Sequence, residues 1–291
     1  MEQQARTVDG DSLSYRVWGR AGATPLMTVH GLVSSTHHWL DFNPYYAAHR
    51  QVISWEYRGH GGNPAPHNAR AISIAQFADD AYQVWRAAGS EQPVVVVGLS
   101  FGVQVALELY RRHPDCVRAL ILICGTAGHP LDRVSESASL RRNLTALLRT
   151  LSSQRIVSTP LLGFLRTRLG TRIAREITYL SGGANRDSCP PAMLQGLFKH
   201  VGSLDPELIG AVMAAYLEHD AHDVLHTITV PTLIVAGDRD QLTPLAVAER
   251  MRDTIPGSEL VVFPGHSHLV QVEKPREVHA AIDAFLAKHQ L

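Results

Sequence analysis

Little in this chain of 291 residues is present in excess, and each shortage closes off a class of function. Three cysteines, Cys116, Cys124 and Cys189, are too few and too far apart for a disulfide frame or a thiolate zinc site, so reduced and mostly packed thiols are expected. Lys plus Arg and Asp plus Glu each number 27, and a formal net charge of zero argues against bulk attraction to nucleic acid. No apolar run approaches the length of a membrane span. The opening Met1-Glu2-Gln3-Gln4-Ala5-Arg6 lacks the apolar core of a signal peptide, and a cytoplasmic protein is expected from it. Internal repeats and low-complexity runs do not stand out either, which argues against solenoid arrays.

What the chain does have is alternation. Arg6 to Gly19 reads as a hairpin with Asp9-Gly10-Asp11 at its turn. Short apolar runs then recur at Leu26–Val29, Val52–Trp55, Val94–Val97, Ala119–Ile123, Thr232–Val235 and Leu260–Phe263. Amphipathic stretches at Ile74–Ala88, Phe101–Arg112, Leu245–Arg252 and Arg276–Leu286 separate most of them. Alternating strands and helices imply an α/β fold with a mostly parallel, doubly wound sheet, whose sites form beyond the carboxyl ends of its strands. Between about His129 and His226 no strand is convincing. Leu140, Leu144, Leu147, Leu148 and Leu151 make an apolar stripe there, and Leu161–Leu180 is amphipathic. The expected organisation is therefore a core built from residues 1–128 and 227–291, with a helical cap inserted over 129–226.

The junction of greatest chemical interest is Gly98-Leu99-Ser100-Phe101-Gly102, which follows four valines and opens the helical stretch Phe101–Arg112. A serine between a buried strand and a helix in a G-x-S-x-G frame is a nucleophile elbow: the glycines let neighbouring backbone approach, and the serine is pushed out of the turn. Its hydroxyl needs a base within hydrogen-bond reach and a carboxylate to orient that base. On this architecture they follow in the order Ser, acid, His, on loops after later strands. Asp238 and Asp240 lie after the strand Thr232–Val235; His266 and His268 lie after Leu260–Phe263. The order is satisfied, and the spacing by itself leaves both pairs open. Phe101 N–H, immediately after the serine, is the first candidate donor to an oxyanion, and the Phe101 ring is expected to border the substrate pocket.

Over nearly its whole length the sequence resembles the α/β-hydrolases of the esterase, lactonase and C–C hydrolase branch. The family's G-x-x-D after the penultimate strand falls on Gly237 to Asp240, which implies Asp240 as the acid and leaves Asp238 a turn carboxylate. The family's histidine precedes a Glu by five residues and a Pro by seven; His268 has that spacing to Glu273 and Pro275, which implies His268 as the base and His266 as a loop or rim residue. His30-Gly31-Leu32 matches the family's His-Gly-x, implying Leu32 N–H as the second oxyanion donor with His30 bracing the loop. Tyr57-Arg58-Gly59-His60-Gly61 resembles its R-G-H-G turn, where His60 is structural. Leu32 in place of an H-G-G-G run disfavours lipases of that type, and Ser at the nucleophile position disfavours enzymes that esterify their own aspartate.

The resemblance implies a serine hydrolase acting on a small or medium carboxylic ester, needing neither cofactor nor metal. Lactonase, thioesterase or C–C bond hydrolase activity on the same triad remains the alternative, and a triad-bearing receptor a more distant one. From Leu131 to His200 the chain has eleven Lys and Arg against four Asp and Glu. A solvated helix face accounts for that balance; attraction of anionic acyl substrates, or docking of Thr159–Leu180 on a lipid surface, are the sharper readings. His219-Asp220-Ala221-His222-Asp223 resembles a metal cluster in composition but fits a polar connection where the cap returns to the core.

Overall fold

Val94 to Val97 face two apolar layers by turns, because successive strand residues point to opposite faces. Val94 and Val96 pack with Phe77, Val103 and Met251, whereas Val95 and Val97 pack with Phe42, Val278 and Phe285. A strand sandwiched in this way must lie inside a sheet covered on both sides. The computed structural model describes residues 2–68, 72–90, 92–128, 130 and 155–291, with positions 143, 146, 147 and 150 between them, apart from the side chains at 37 and 155–157.

The strands are β1 (Glu2–Arg6), β2 (Ser12–Trp18), β3 (Ala23–Val29), β4 (Arg50–Trp55), β5 (Val94–Leu99), β6 (Val117–Ile123), β7 (Thr232–Gly237) and β8 (Glu259–Phe263). They form one sheet in the order β1-β2-β4-β3-β5-β6-β7-β8. β1 and β2 make the antiparallel hairpin, β2 meets β4 antiparallel, and every later pairing is parallel. The strand order turns back between β3 and β5, and their carboxyl ends open the crevice where ligands of such sheets bind.

The helices are α1 (Phe42–Ala47), α2 (Ile74–Ala87), α3 (Phe101–Arg112), α4 (Arg155–Leu165), α5 (Arg168–Leu180), α6 (Pro191–Val201), α7 (Pro206–Glu218), α8 (His222–Leu225), α9 (Leu245–Thr254), α10 (Val270–Glu273) and α11 (Pro275–Lys288). α2, α3 and α9 cover one face of the sheet; α1 and α11 cover the other. α4 to α7 lie between β6 and β7 in the chain. Thr167 caps α5 by accepting from Gly170 N–H at 3.0 Å, and Asp205 caps α7 by accepting from Glu207 N–H at 2.8 Å, with Pro206 opening the helix. Of the expected leucine stripe at 140–151, only Leu147 is among the described residues, and it is exposed; the other four lie outside them.

α7 differs from its neighbours in being apolar nearly all round. Leu208, Val212 and Tyr216 join the main core, while Met213 and Leu217 face the cavity described below. A helix of that kind is buried on more than one side. It thus packs onto the main core on one side and borders the cavity on the other.

Candidate active site

Ser100 sits between β5 and α3 with φ +54°, a conformation rarely adopted by residues other than glycine and worth about 1–3 kcal/mol of strain. Its own backbone holds it there: Ser100 N–H donates to Ile123 O at 2.9 Å, and Val103 N–H donates to Ser100 O at 2.9 Å. The flanking glycines are required by space. A Cβ on Gly98 would lie 2.5 Å from Gly102 O, and one on Gly102 would lie 2.3 Å from Val29 O. The start of α3 is thus pressed against the ends of β5 and β3. Gly31, on the loop after β3, also comes near the serine, since its Cβ would stand 3.8 Å from Ser100 Cβ.

Asp240, buried in the turn after β7, accepts from four donors. Leu242 and Thr243 N–H reach Oδ1 at 2.8 and 2.9 Å; the Thr243 hydroxyl (2.7 Å) and His268 Nδ1 (2.8 Å) reach Oδ2. Burial would push this carboxyl up, but the charge and hydrogen bond of His268 and the Thr243 donors outweigh it and hold it below the usual carboxylate range. With Nδ1 committed to Asp240, the imidazole is left with Nε2 to accept a proton from a hydroxyl.

Ser100 and His268 line one cavity of about 400 Å³, together with Gly31 and Leu32. Leu99, Leu194, Leu197, Phe198, Met213 and Leu217 supply much of its wall. No Lys, Arg, Asp or Glu is among the described residues that line it. The cavity lies at the carboxyl ends of β3 and β5, where the topology places ligand sites.

A sequence model of the alpha/beta hydrolase fold matches residues 24–275. The chain belongs to the α/β-hydrolase fold family. It is 26% identical to the human protein ABHD8 over 265 residues, covering 90% of this chain and 54% of that protein, so it spans about half the length of this relative. It is 28% identical to the pimeloyl-[acyl-carrier protein] methyl ester esterase of Neisseria meningitidis, covering 82% of this chain and 84% of that protein. Among solved structures, a thermophilic esterase from Thermogutta terrifontis superposes with a TM-score of 0.80 at 23% identity and full coverage of both chains.

Within this α/β-hydrolase fold the second-choice residues have other partners. Asp238 Oδ1 accepts from Gly265 N–H at 2.6 Å, and His266 Nδ1 donates to Glu273 Oε2 at 3.1 Å. His30 is buried and neutral: burial and the neighbouring His60 hold it well below its usual range, and its Nδ1 donates to Gly31 O at 3.2 Å. Burial likewise brings His60 down to about 4. Arg58 binds Asp80 and Asp9, each at 2.6 Å, so the R-G-H-G turn ties β4 to α2 and the hairpin. His219 reaches the Gln104 side chain at 3.1 Å and Glu108 at 3.0 Å, which joins α7 to α3. Burial raises the Cys124 thiol well above its usual range.

One expectation is corrected. The Phe101 ring does not border the cavity; it is fully buried against Tyr57, Phe77 and Tyr216. Helical geometry turns the first side chain of α3 into the core while its backbone stays at the elbow. Two residues escaped the sequence reading. Glu273, read only as a spacing marker, accepts Asn185 N–H at 2.7 Å, Ser267 N–H at 3.0 Å and the Ser267 hydroxyl, binding the His268 loop to the segment after α5. Tyr216 lines the same cavity as Ser100. The all-round apolarity of α7 was the signal available for it.

Proposed function

We propose that the chain is a serine hydrolase of carboxylic esters with Ser100 as nucleophile, His268 as base and Asp240 as the orienting acid. Ser100 Oγ attacks the ester carbonyl as His268 Nε2 takes its proton. His268 returns that proton to the departing alcohol, leaving an acyl-serine that water opens by the same two transfers. Phe101 and Leu32 N–H bind the oxyanion. The observation that carries the reading is the Asp240–His268 bond of 2.8 Å beside a cavity that His268 shares with a strained Ser100.

The wall of the cavity favours neutral, apolar acyl groups, because an anion there would meet no cationic side chain among the described residues. The cap in this reading is residues 129–226 over a core of 1–128 and 227–291, and the setting is the cytoplasm. Among the described residues no helix is long and apolar enough to cross a membrane. Peripheral lipid contact has one specific support: Leu169, Ile173, Ile177 and Leu180 form an exposed stripe on α5, with Arg168 and Arg172 exposed beside it. Sedimentation with phosphatidylserine-containing vesicles, but not with pure phosphatidylcholine, is the expected result; no binding to either would remove this part.

The main test is a screen of p-nitrophenyl esters from acetate to dodecanoate, with lactones and acyl-CoA thioesters in parallel, on the parent and on Ser100→Ala. Short and medium esters should turn over repeatedly in the parent alone. Equal turnover by Ser100→Ala would overturn the triad. Preference for a lactone or thioester would move the chemistry to the alternative on the same residues.

A further inference from the structure

Val33 adopts φ +44° in the loop that runs from β3 to the 3-10 turn Thr36–Trp39. For a β-branched residue that conformation is an outlier, and it persists only where the surroundings impose it. Gly31 and Leu32 of this loop line the cavity beside Ser100. Two consecutive residues after β4 grip it. Tyr57 O–H donates to His30 O at 2.7 Å, at the start of the loop. Glu56 Oε1 accepts from Thr36 N–H at 3.0 Å and from the Thr36 hydroxyl at 2.7 Å, at its end. Glu56 Oε2 stands 3.5 Å from His30 Nε2, so one carboxyl faces both ends. In the middle, Ser34 O accepts from His200 Nε2 of α6 at 3.1 Å. Glu56 is itself fixed, since its N–H donates to Ser14 O at 3.1 Å. Its side chain, 12% exposed, fills the space that Gly61 leaves, where a Cβ would lie 2.4 Å from Glu56 Cδ. Burial pushes the carboxyl above its ordinary range against the opposing Thr36 donors, so the place is a costly one for it. An apolar side chain would fill that space more cheaply; the two oxygens are used on the loop.

We propose that Glu56 is a positioning residue for the oxyanion hole, holding the loop from His30 to Thr36 so that Leu32 N–H stays on the oxyanion of the Ser100 adduct. Glu56 acts through the loop and transfers no proton; His268 carries every proton that moves. With Thr36 released, Val33 can relax toward an ordinary backbone conformation, and Leu32, its chain neighbour, turns with it. A displaced donor is missed most where charge develops. The loss therefore falls on kcat and kcat/KM together, while ground-state binding in the apolar cavity is spared. The size expected is that of a donor shifted by about 1 Å, roughly 10- to 100-fold.

The inference rests on the ester-hydrolase reading with Leu32 as a donor, and the test separates the two. Parent, Glu56→Ala, Glu56→Gln, Thr36→Val and Ser100→Ala are assayed on p-nitrophenyl butyrate. Competent sites are counted by fluorophosphonate titration carried to completion, so a partly unfolded variant is still compared per working site. Glu56→Ala should lose about 10- to 100-fold in kcat and equally in kcat/KM. Glu56→Gln, whose amide oxygen can still accept from Thr36, should stay within about threefold of the parent. An alkyl trifluoromethyl ketone, whose adduct on an active serine bears an oxyanion, should bind Glu56→Ala more weakly by a factor similar to the kcat loss. A kcat in Glu56→Ala within about twofold of the parent, an equal loss in Glu56→Gln, or a lower kcat with unchanged ketone affinity would overturn the role of Glu56 while leaving the triad standing. Should Glu56→Ala yield no competent sites, Thr36→Val decides. Deleting one of the two bonds should cost about three- to tenfold in kcat with ketone affinity falling alongside, and a kcat within about twofold of the parent would overturn the proposal. Full activity in Ser100→Ala would instead overturn the reading beneath it.

Discussion

Replacing Asp240 by asparagine should disable the base while leaving the fold in place, because of how the four donors divide between its two oxygens. Asn Oδ1 can still accept from Leu242 and Thr243 N–H, which stand at 2.8 and 2.9 Å. The amide nitrogen then falls where Oδ2 met the Thr243 hydroxyl and His268 Nδ1. The hydroxyl can rotate to accept. Nδ1 can accept only by giving up its hydrogen, which moves the imidazole proton to Nε2, the nitrogen that must receive the Ser100 proton. Every hydrogen bond survives and the tautomer is wrong. Stability should stay within about 1 kcal/mol, while kcat should fall by about four orders of magnitude, or roughly 5.5 kcal/mol of barrier. Steady-state hydrolysis of p-nitrophenyl butyrate and urea unfolding measure the two quantities on the same preparation. Asp238→Asn, which keeps an oxygen to accept from Gly265 N–H, should stay within about threefold of the parent. An Asp240→Asn variant with more than a tenth of parental kcat would refute the reasoning.

Three further outcomes are expected. His268→Ala should abolish ester turnover, and His266→Ala should retain most of it after losing its bond to Glu273; the opposite pattern would move the base. Gly102→Ala would place a methyl 2.3 Å from Val29 O, backbone against backbone, so melting temperature and activity should fall together, by about 1–3 kcal/mol in stability. His60 bears on acid stability. Its folded value of about 4 lies below that of the unfolded chain, near 6.5, so between these values the unfolded state binds more protons. Stability should therefore fall by roughly 3 kcal/mol as pH drops from about 6.5 to about 4 and change little from this group below that. Urea midpoints across this range should be flatter in His60→Gln; identical slopes would show that His60 is not the group.

The middle of the sheet was legible because β5 and β7 are buried along their whole length and so read as unbroken apolar runs. Val94–Val97 and Thr232–Val235 lie within β5 and β7 as expected. The hairpin was legible from its Asp9-Gly10-Asp11 turn. α1 was not: six residues, Phe42–Ala47, are too few to show a helical period. At the site, order along the chain selected two loops but could not choose between neighbours two residues apart. That choice was implied by the family spacing, and in the structure Asp240 meets His268 while Asp238 and His266 meet other groups. The wall of the cavity was beyond reach of the sequence, since Leu194, Met213 and Tyr216 come together only through the packing of α6 and α7 over the sheet. Phe101 was misplaced for a related reason: the backbone and ring of one residue serve opposite sides of the elbow.

The central claim is that Ser100 is a nucleophile activated by His268. Peptide mapping by mass spectrometry after fluorophosphonate treatment tests it directly, without a guess at substrate. A single adduct on the peptide holding Ser100 is expected, absent in Ser100→Ala and strongly reduced in His268→Ala. An adduct on another residue, or equal labelling of Ser100 without His268, would contradict it.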